Sequence, residues 1–500
     1  MREEGNAMND YLKLMRDVIA QGPYADTWES LCGHPGWRRD AKFGVFIHWG
    51  AYAVPAFANE WYPRNMYIRG TPEYEHHIKT YGNHKSFGYK DFIPMFKGEK
   101  FDAGEWMSLI RASGAQYVMP VAEHHDGFKM YGSELSAYNA KLMGPRRDVL
   151  GELKQAAERE GLVFTLSNHR AEHCWFFNGG LEFDSDVADP ANEAFYGKQQ
   201  AGVGPSTHDI HSQPPSKEHC EDWLAHLVEL AEKYRPEAVY LDWWVHNLGF
   251  KPYLKQFAAY YYNRAAQFGL DAAIYCKHHA FAPGAAVQDV ERGRFRSIRP
   301  RAWQTDTSTA RNSWCHTLQN EYKDPAAILC DLIDAVSKNG RLLLNIGPRA
   351  DGVIPDEDRQ ILLALGKWLE RNGEGIYGAS CWEVFGEGAE YGGSEADSAP
   401  IWRGTADGKK DKGAPIRFTC KGGAIYAFVM RWPEDGEVAV KALKKGRVTS
   451  CSGGDFHIRE VTALGTDVRV SFKRDGKALR LKAEGPIDDR YPVCVKVLID

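Results

Sequence analysis

The stretch 119–131, "MPVAEHHDGFKMY", closes a short apolar run with an acid, two adjacent histidines and a second acid. Seven other apolar runs end in the same way. In chain order the eight endings carry His48, then His124 and His125, then Asn168 and His169, then Asp242. Lys277, His278 and His279 follow, then Glu291, Asp306 and Asn345. A single ending of this kind means little, because an isolated buried histidine or acid is usually a satisfied core group. Eight in order describe a ring of polar groups around one mouth.

Three chemistries suit such a ring. Histidines with Asp242 could hold a divalent metal. Against this, no H-x-H or H-E-x-x-H spacing occurs, and adjacent residues on a strand point to opposite faces, so His124 and His125 should not chelate together. Alternatively, Asp242 paired with Glu291 or Asp306 could hydrolyse a glycosidic bond. Neutral histidines would then hold sugar hydroxyls and tryptophans would wall the ring. In the third, non-catalytic reading the acids pair with Arg292, Arg299 or Arg301. That serves for any one position and poorly for all eight.

The elements that must position these groups alternate along the chain. The runs 43–48, 116–125, 162–169, 238–244, 272–279, 286–291, 302–307 and 341–347 are mostly continuous apolar stretches, as parallel strands covered on both faces require. Helical segments lie between them. Asp102 with Glu105 forms a capping signal, Trp223, Leu224, Leu227, Val228 and Ala231 share one helical face, and Pro325 stands at a first helical position. Eight strands with helical crossovers predict a (β/α)8-like (TIM-type) barrel, whose active site forms at the carboxyl ends of its strands. No G-x-G-x-x-G loop follows any strand. The long polar insertion 174–215 is expected to cover the mouth. After about 380 the pattern changes to short alternating strands split by Gly and Asp, which reads as an antiparallel β-sandwich. The expected division is a catalytic barrel over 1–380 and a C-terminal β-sandwich domain over 381–500, joined near "CWEVFGEGAEYGGSEADSAP".

The totals narrow the partners. Of 500 residues 43% are apolar and the net charge is −5 without basic blocks, so neither nucleic acid nor a membrane is an expected partner. Fifteen tryptophans exceed what a core needs and suit sugar faces. Ten cysteines lie singly with no C-x-x-C pair, as buried reduced thiols do. The opening "MREEGNAMNDYLKLMRDVIAQ" lacks a secretory apolar core, which favours a cytoplasmic location.

Four stretches carry a resemblance: "AKFGVFIHWGAYAVPAFANEWYPRNMY", "AEHHDGFKMYGS", "WQTDTSTARNSW" and "SKNGRLLLNIGPRADGVIP". They resemble the α-L-fucosidases of glycoside hydrolase family 29, over about 35–380. The resemblance implies a retaining, metal-independent hydrolase that needs no cofactor and acts on a fucosylated oligosaccharide or glycoside. It assigns Asp242 in "YLDWW" as nucleophile, and His48, Glu60, His124 and His125 as sugar-holding groups. Trp303 and Trp314 fall in its aromatic segment, and Trp243 follows the nucleophile. Asp126 and Phe128 are weaker matches, Asp126 bracing a loop. The acid/base varies in position within this family. We assign it to Glu291 in "VQDVERG", with Asp289 as a brace and Asp306 in "QTDTS" as the competitor. Many relatives carry a tyrosine where "LSNHRAEHCW" has Asn168 and His169.

Two other readings stand beside this one. A catalytically inactive carbohydrate-binding barrel would keep the aromatics and histidines, but here both candidate carboxylates are present. A metal-dependent hydrolase or isomerase would respond to chelators. Linkage preference, whether broad or confined to branched α-1,3/1,4 fucosides, and oligomeric state are left open.

Overall fold

A computed structural model describes residues 2–34, 37, 40–202, 213–388, 414–447 and 455–500. Nine short strands build the barrel: β1 (Phe43–Ile47), β2 (Tyr117–Glu123), β3 (Val163–Phe164), β4 (Leu166–Asn168), β5 (Ala238–Leu241), β6 (Ala273–Cys276), β7 (Val287–Asp289), β8 (Trp303–Ser308) and β9 (Gly340–Ile346). All pair in parallel, in the order β1-β9-β8-β7-β6-β5-β4-β2-β3, and a further β1–β2 pairing closes the sheet. β3 and β4 both lie on β2 and form one stave, interrupted at Thr165, whose amide and hydroxyl both donate to the Val118 carbonyl. The result is a closed eight-stave barrel, as the sequence pattern predicts.

β1, β2, β5, β6, β8 and β9 bury every residue, because helices cover one face and the barrel interior fills the other. The interior is packed with Phe46, Tyr117, Met119, Tyr240, Tyr275 and Leu343, with Trp37 as a plug. Polar tips find partners inside: Tyr117 donates to Gln304 Oε1 at 2.9 Å, and Arg341 donates to the Tyr275 hydroxyl at 2.9 Å. The crossover helices start where the sequence signals them. Asp102 accepts from the Glu105 amide, and Asp324 accepts from the Ala326 amide ahead of Pro325. Helix Lys217–Tyr234 buries the predicted face Trp223, Leu224, Leu227, Val228 and Ala231.

Beyond the barrel come β10 (Ser380–Glu387), β11 (Ile416–Lys421), β12 (Ala424–Val429), β13 (Glu437–Val440), β14 (Ile458–Ala463), β15 (Val470–Arg474), β16 (Leu479–Ala483) and β17 (Val493–Ile499). They form antiparallel sheets ordered β10-β11-β12-β17-β14 and β13-β16-β15 around a separate apolar core. The stretch expected to be a joint is in part β10, which places Trp382 in that core. The remainder of that joint, and most of the strand expected at "GRVTSCSG", lie outside the described residues. In the insertion 174–215, the described part packs beside the mouth. Trp175 and Phe176 stack near Trp61, and Asp186 accepts from Tyr67 at 2.7 Å. Residues 203–212 of the insertion lie outside the described residues.

Candidate active site

The carboxyl ends of the staves surround a cavity of 260 Å³. His48 follows β1 directly, and its Nδ1 is 2.7 Å from Asn345 Oδ1 on β9. Asn345 Nδ2 donates to Ser308 Oγ and to the Trp314 carbonyl, so its oxygen faces His48. Nδ1 of His48 therefore carries the proton and Nε2 is left as an acceptor. Glu60 accepts from the Trp314 amide at 2.9 Å and so secures the loop that carries the Trp314 ring. Trp61, Trp243 and Trp314 wall the opening.

The charges centre on Lys277, which follows β6. Its Nζ lies 2.7 Å from Glu291 Oε2, 3.0 Å from Asp242 Oδ1 and 3.7 Å from Asp306 Oδ2. Burial opposes this ammonium, but Asp242, Asp306 and Glu291 outweigh it and hold its pKa well above the usual value. The second oxygen of Asp242 lies 3.2 Å from His169 Nδ1 and 3.6 Å from His125 Nε2. Burial favours the neutral acid; Lys277, His169 and His125 reverse that and hold Asp242 well below the ordinary carboxylate range.

The two adjacent histidines take opposite charge states. His125 is buried, yet Glu172, 3.1 Å from its Nδ1, together with Asp242 raises it to about 9, so it is an imidazolium at neutral pH. Burial and the neighbouring His125, His169 and His48 rings push His124 well below 6.5, which keeps it neutral. His48 is neutral for the same reason, burial first and then His169.

Glu291 and Asp306 also differ. The Glu291 side chain is 42% exposed at the mouth. Asp306 is 2% exposed and sits behind Lys277, where Tyr240 donates to it at 3.2 Å. Asp289, which takes a hydrogen bond from Gln304 at 2.8 Å, lies against it. Burial raises both acids, and Asp306 raises Asp289 further, so the pair keeps a proton.

The structure brings together His48, Glu60, His124, His125, Trp243, Trp314, Asp242 and Glu291 in one cavity, and separates Trp303 from them. Trp303 is the first residue of β8, at the amino end of its stave, where its Nε1 donates to the Lys338 carbonyl at 3.0 Å. A Cβ on Gly340 would come 2.5 Å from its ring, so the glycine serves packing there. Its place in the aromatic segment is not a place in the cavity, because the strand carries residue 303 and the site-lining residue 306 to different depths. The expected divergence of His124 and His125 also fails. β2 ends at Glu123, both residues lie beyond the pleat, and their ring centroids are 4.2 Å apart. Asp126 accepts from Tyr89 at 2.6 Å and from the Phe128 amide, and so braces its loop. Lys277, His169 and Trp61 line the cavity without a role from the sequence. Their signal was position: Lys277 and His169 close apolar runs, and Trp61 follows Glu60.

Among the described residues, two trios could offer metal ligands within 4.8 Å of one another: His48, His124 and His169, or His125, His169 and Asp242. Distance permits a cation, but charge opposes it. The His125 imidazolium and the Lys277 ammonium already flank Asp242, and His125 is engaged by Glu172. The donor set fits sugar hydroxyls better than a dication.

A closed parallel barrel with acids, imidazoles and indoles converging at its mouth is an arrangement suited to a glycoside hydrolase. The family profile described as Alpha-L-fucosidase matches residues 12–374. Tissue alpha-L-fucosidase of Macaca fascicularis is 30% identical over 430 residues, 83% of this chain and 79% of that one. The rat protein of the same name is 29% identical over 474 residues, 91% of this chain and 87% of its own. The Thermotoga maritima alpha-fucosidase solved in complex with fucose superposes with a TM-score of 0.71 at 27% identity, over 95% of this chain and 100% of that chain. The chain belongs to the α-L-fucosidase family.

Proposed function

We propose that the protein is a retaining exo-α-L-fucosidase in which Asp242 is the nucleophile and Glu291 the acid/base. One observation carries the reading. A single ammonium contacts both carboxylates, so the contacted oxygens can be no further apart than the two contacts end to end. Such closeness suits a retaining pair, whose carboxyl groups stand about 5–5.5 Å apart, better than an inverting pair, which needs roughly 6.5–9.5 Å for water. Asp242, held ionised, attacks the anomeric carbon while Glu291 protonates the departing oxygen. In the second step Glu291 takes a proton from water, which opens the glycosyl ester. His48 and His124, both neutral, can donate to or accept from sugar hydroxyls. The aromatic wall of Trp61, Trp243 and Trp314 suits the methyl that fucose carries in place of a hydroxymethyl. The cavity has room for one terminal sugar ring, which supports exo action.

The test has two parts. The first-formed sugar followed by NMR should be α-L-fucose; initial appearance of the β-anomer would sink the retaining mechanism. Glu291→Ala should slow substrates with poor leaving groups by about 10²–10⁴-fold, spare activated aryl fucosides, and give a retained fucosyl azide when azide is added. If Asp306→Ala shows that pattern and Glu291→Ala does not, the eighth-strand acid carries the role.

A further inference from the structure

Resting on that reading, the chain contains a group that neither a nucleophile nor an acid/base accounts for. Lys277 is buried and lies at the end of β6, between the ends of β5 and β7 that carry the two acids. His278 and His279 after it both adopt left-handed backbone, with φ of +50° and +54°, and Arg292 after Glu291 does so at +45°. Two consecutive non-glycine residues in that region are uncommon and cost free energy. The sharp bend lets the chain leave the strand at once, with the lysine aimed into the mouth.

Charge conservation says what it does there. Before glycosyl transfer the pair is an ionised Asp242 and a protonated Glu291. Asp242 then forms the ester bond, the glycosidic C–O bond breaks, and the Glu291 proton goes to the leaving oxygen. The pair is now a neutral ester and an ionised Glu291. In the second step water gives a proton to Glu291 and its oxygen to the anomeric carbon, the ester C–O bond breaks, and the charge returns to Asp242. One negative charge therefore crosses from Asp242 to Glu291 and back in each turnover. Lys277 Nζ stands 3.0 Å from one end of that path and 2.7 Å from the other.

We propose that Lys277 is a positioning charge that stays with this migrating anion through both half-reactions, with Asp306 as a third carboxylate that competes for it. A lysine suits the task, being a compact charge on a flexible stem with three donors; an arginine fork would commit to one carboxylate plane. The aromatic rings of Tyr240 and Trp314 lie 5.6 Å and 6.0 Å from Nζ, so it can pivot against π faces without leaving the pocket. Asp306, 3.7 Å away, is backed by Asp289, whose hydrogen bond favours the charged form of Asp306, so it is a real rival for the ammonium. The other charged or titratable groups facing this site are Tyr240 on β5, His169 and His125 across Asp242, His48, Glu60 and His124 on the far wall, and His278 and Arg292 on the flanking turns.

The experiment is the pH dependence of kcat/KM in Lys277→Met and Lys277→Arg. Removing a positive charge from beside the pair makes its single negative charge harder to hold, so Lys277→Met should move the limbs of the profile up, by about 1–3 pH units for a charge at this range. Lys277→Arg should leave the limbs near the parent even if kcat falls. Asp306→Asn, which frees the ammonium for the catalytic pair, should move both limbs down. A lysine that only shaped the pocket would lower kcat in both Lys277 variants with the limbs unmoved, and that result overturns the proposal. The two readings fail separately. If Glu291→Ala keeps its leaving-group and azide pattern while Lys277→Met leaves the limbs in place, the lysine proposal alone is lost. If the Glu291→Ala pattern is absent, the acid/base assignment is lost first.

Discussion

The barrel mouth and the C-terminal sheets handle charge in opposite ways. Most ion pairs of the C-terminal sheets lie in water: Lys482 with Glu437 is 66% and 59% exposed, and Arg490 with Asp488 is 78% and 54% exposed, whereas Arg417 on β11 is the exception that reaches a buried acid, Asp334 of the barrel's helical layer, at 2.6 Å. Their core, from Trp382 to Val497, is apolar. At the mouth Lys277 and Asp242 are each 7% exposed. His125 faces Glu172 there, and Asp306 shares a proton with Asp289. Burying a charge is costly unless it is paired and hydrogen-bonded, and a buried pair seldom gains net stability over an apolar one. A solvated pair contributes little either way. The sheets therefore have the arrangement expected when stability alone matters. The mouth bears a folding penalty to hold Asp242 ionised, one histidine charged and two neutral.

The contrast breaks most visibly at Asp242. Asp242→Ala should lower turnover of an aryl fucoside by roughly 10⁴–10⁶-fold, as loss of one member of a catalytic unit does. A variant retaining a tenth of the activity would mean the mouth charges serve something else. His48→Ala should reduce kcat/KM by about 10–100-fold, the usual cost of leaving buried polar partners unmet. An unchanged value in steady-state assays would remove His48 from the sugar site.

His125 sharpens the comparison through pH. Its folded pKa of about 9 is above the ordinary 6.5, so the stability it contributes is complete below 6.5 and is lost as pH rises through about 9. The excess unfolding free energy of the parent over His125→Gln should be on the order of 2–3 kcal/mol at pH 6 and shrink by pH 10. Denaturant melts at the two pH values measure it, and a gap that widened with pH would contradict the imidazolium.

Trp303→Phe should destabilise by about 1–3 kcal/mol through the lost bond to the Lys338 carbonyl, with kcat/KM unchanged within about two-fold. A large rise in KM would return Trp303 to the cavity. The smallest effect belongs to the sheets: Lys482→Ala should change stability by less than about 0.5 kcal/mol in thermal melts and leave hydrolysis untouched. EDTA should likewise leave activity intact, and loss restored by zinc would show that the imidazole trios hold a metal.

Much of this protein is local and so was legible in its sequence. Continuous apolar runs of strand length, each ending in a polar group, specify parallel strands and the end of the barrel at which chemistry collects. Asp242 and Glu291 were identifiable as strand-end acids, and His48, Glu60 and Trp314 as members of long motifs. Trp303 lies outside the cavity although the run 302–307 already placed it near the start of a strand: it shares a motif with Trp314 but opens a strand that ends near the site. The parity argument for His124 and His125 failed because alternation holds only inside the pleat, and β2 stops one residue earlier. What only the tertiary structure decided is the meeting of Lys277 with three carboxylates. Those groups come from the ends of β5, β6 and β7 and from within β8, and their depths depend on the stagger of neighbouring staves in a closed sheet. That stagger is set by barrel closure, a property of all eight staves together, and no local pattern of residues encodes it.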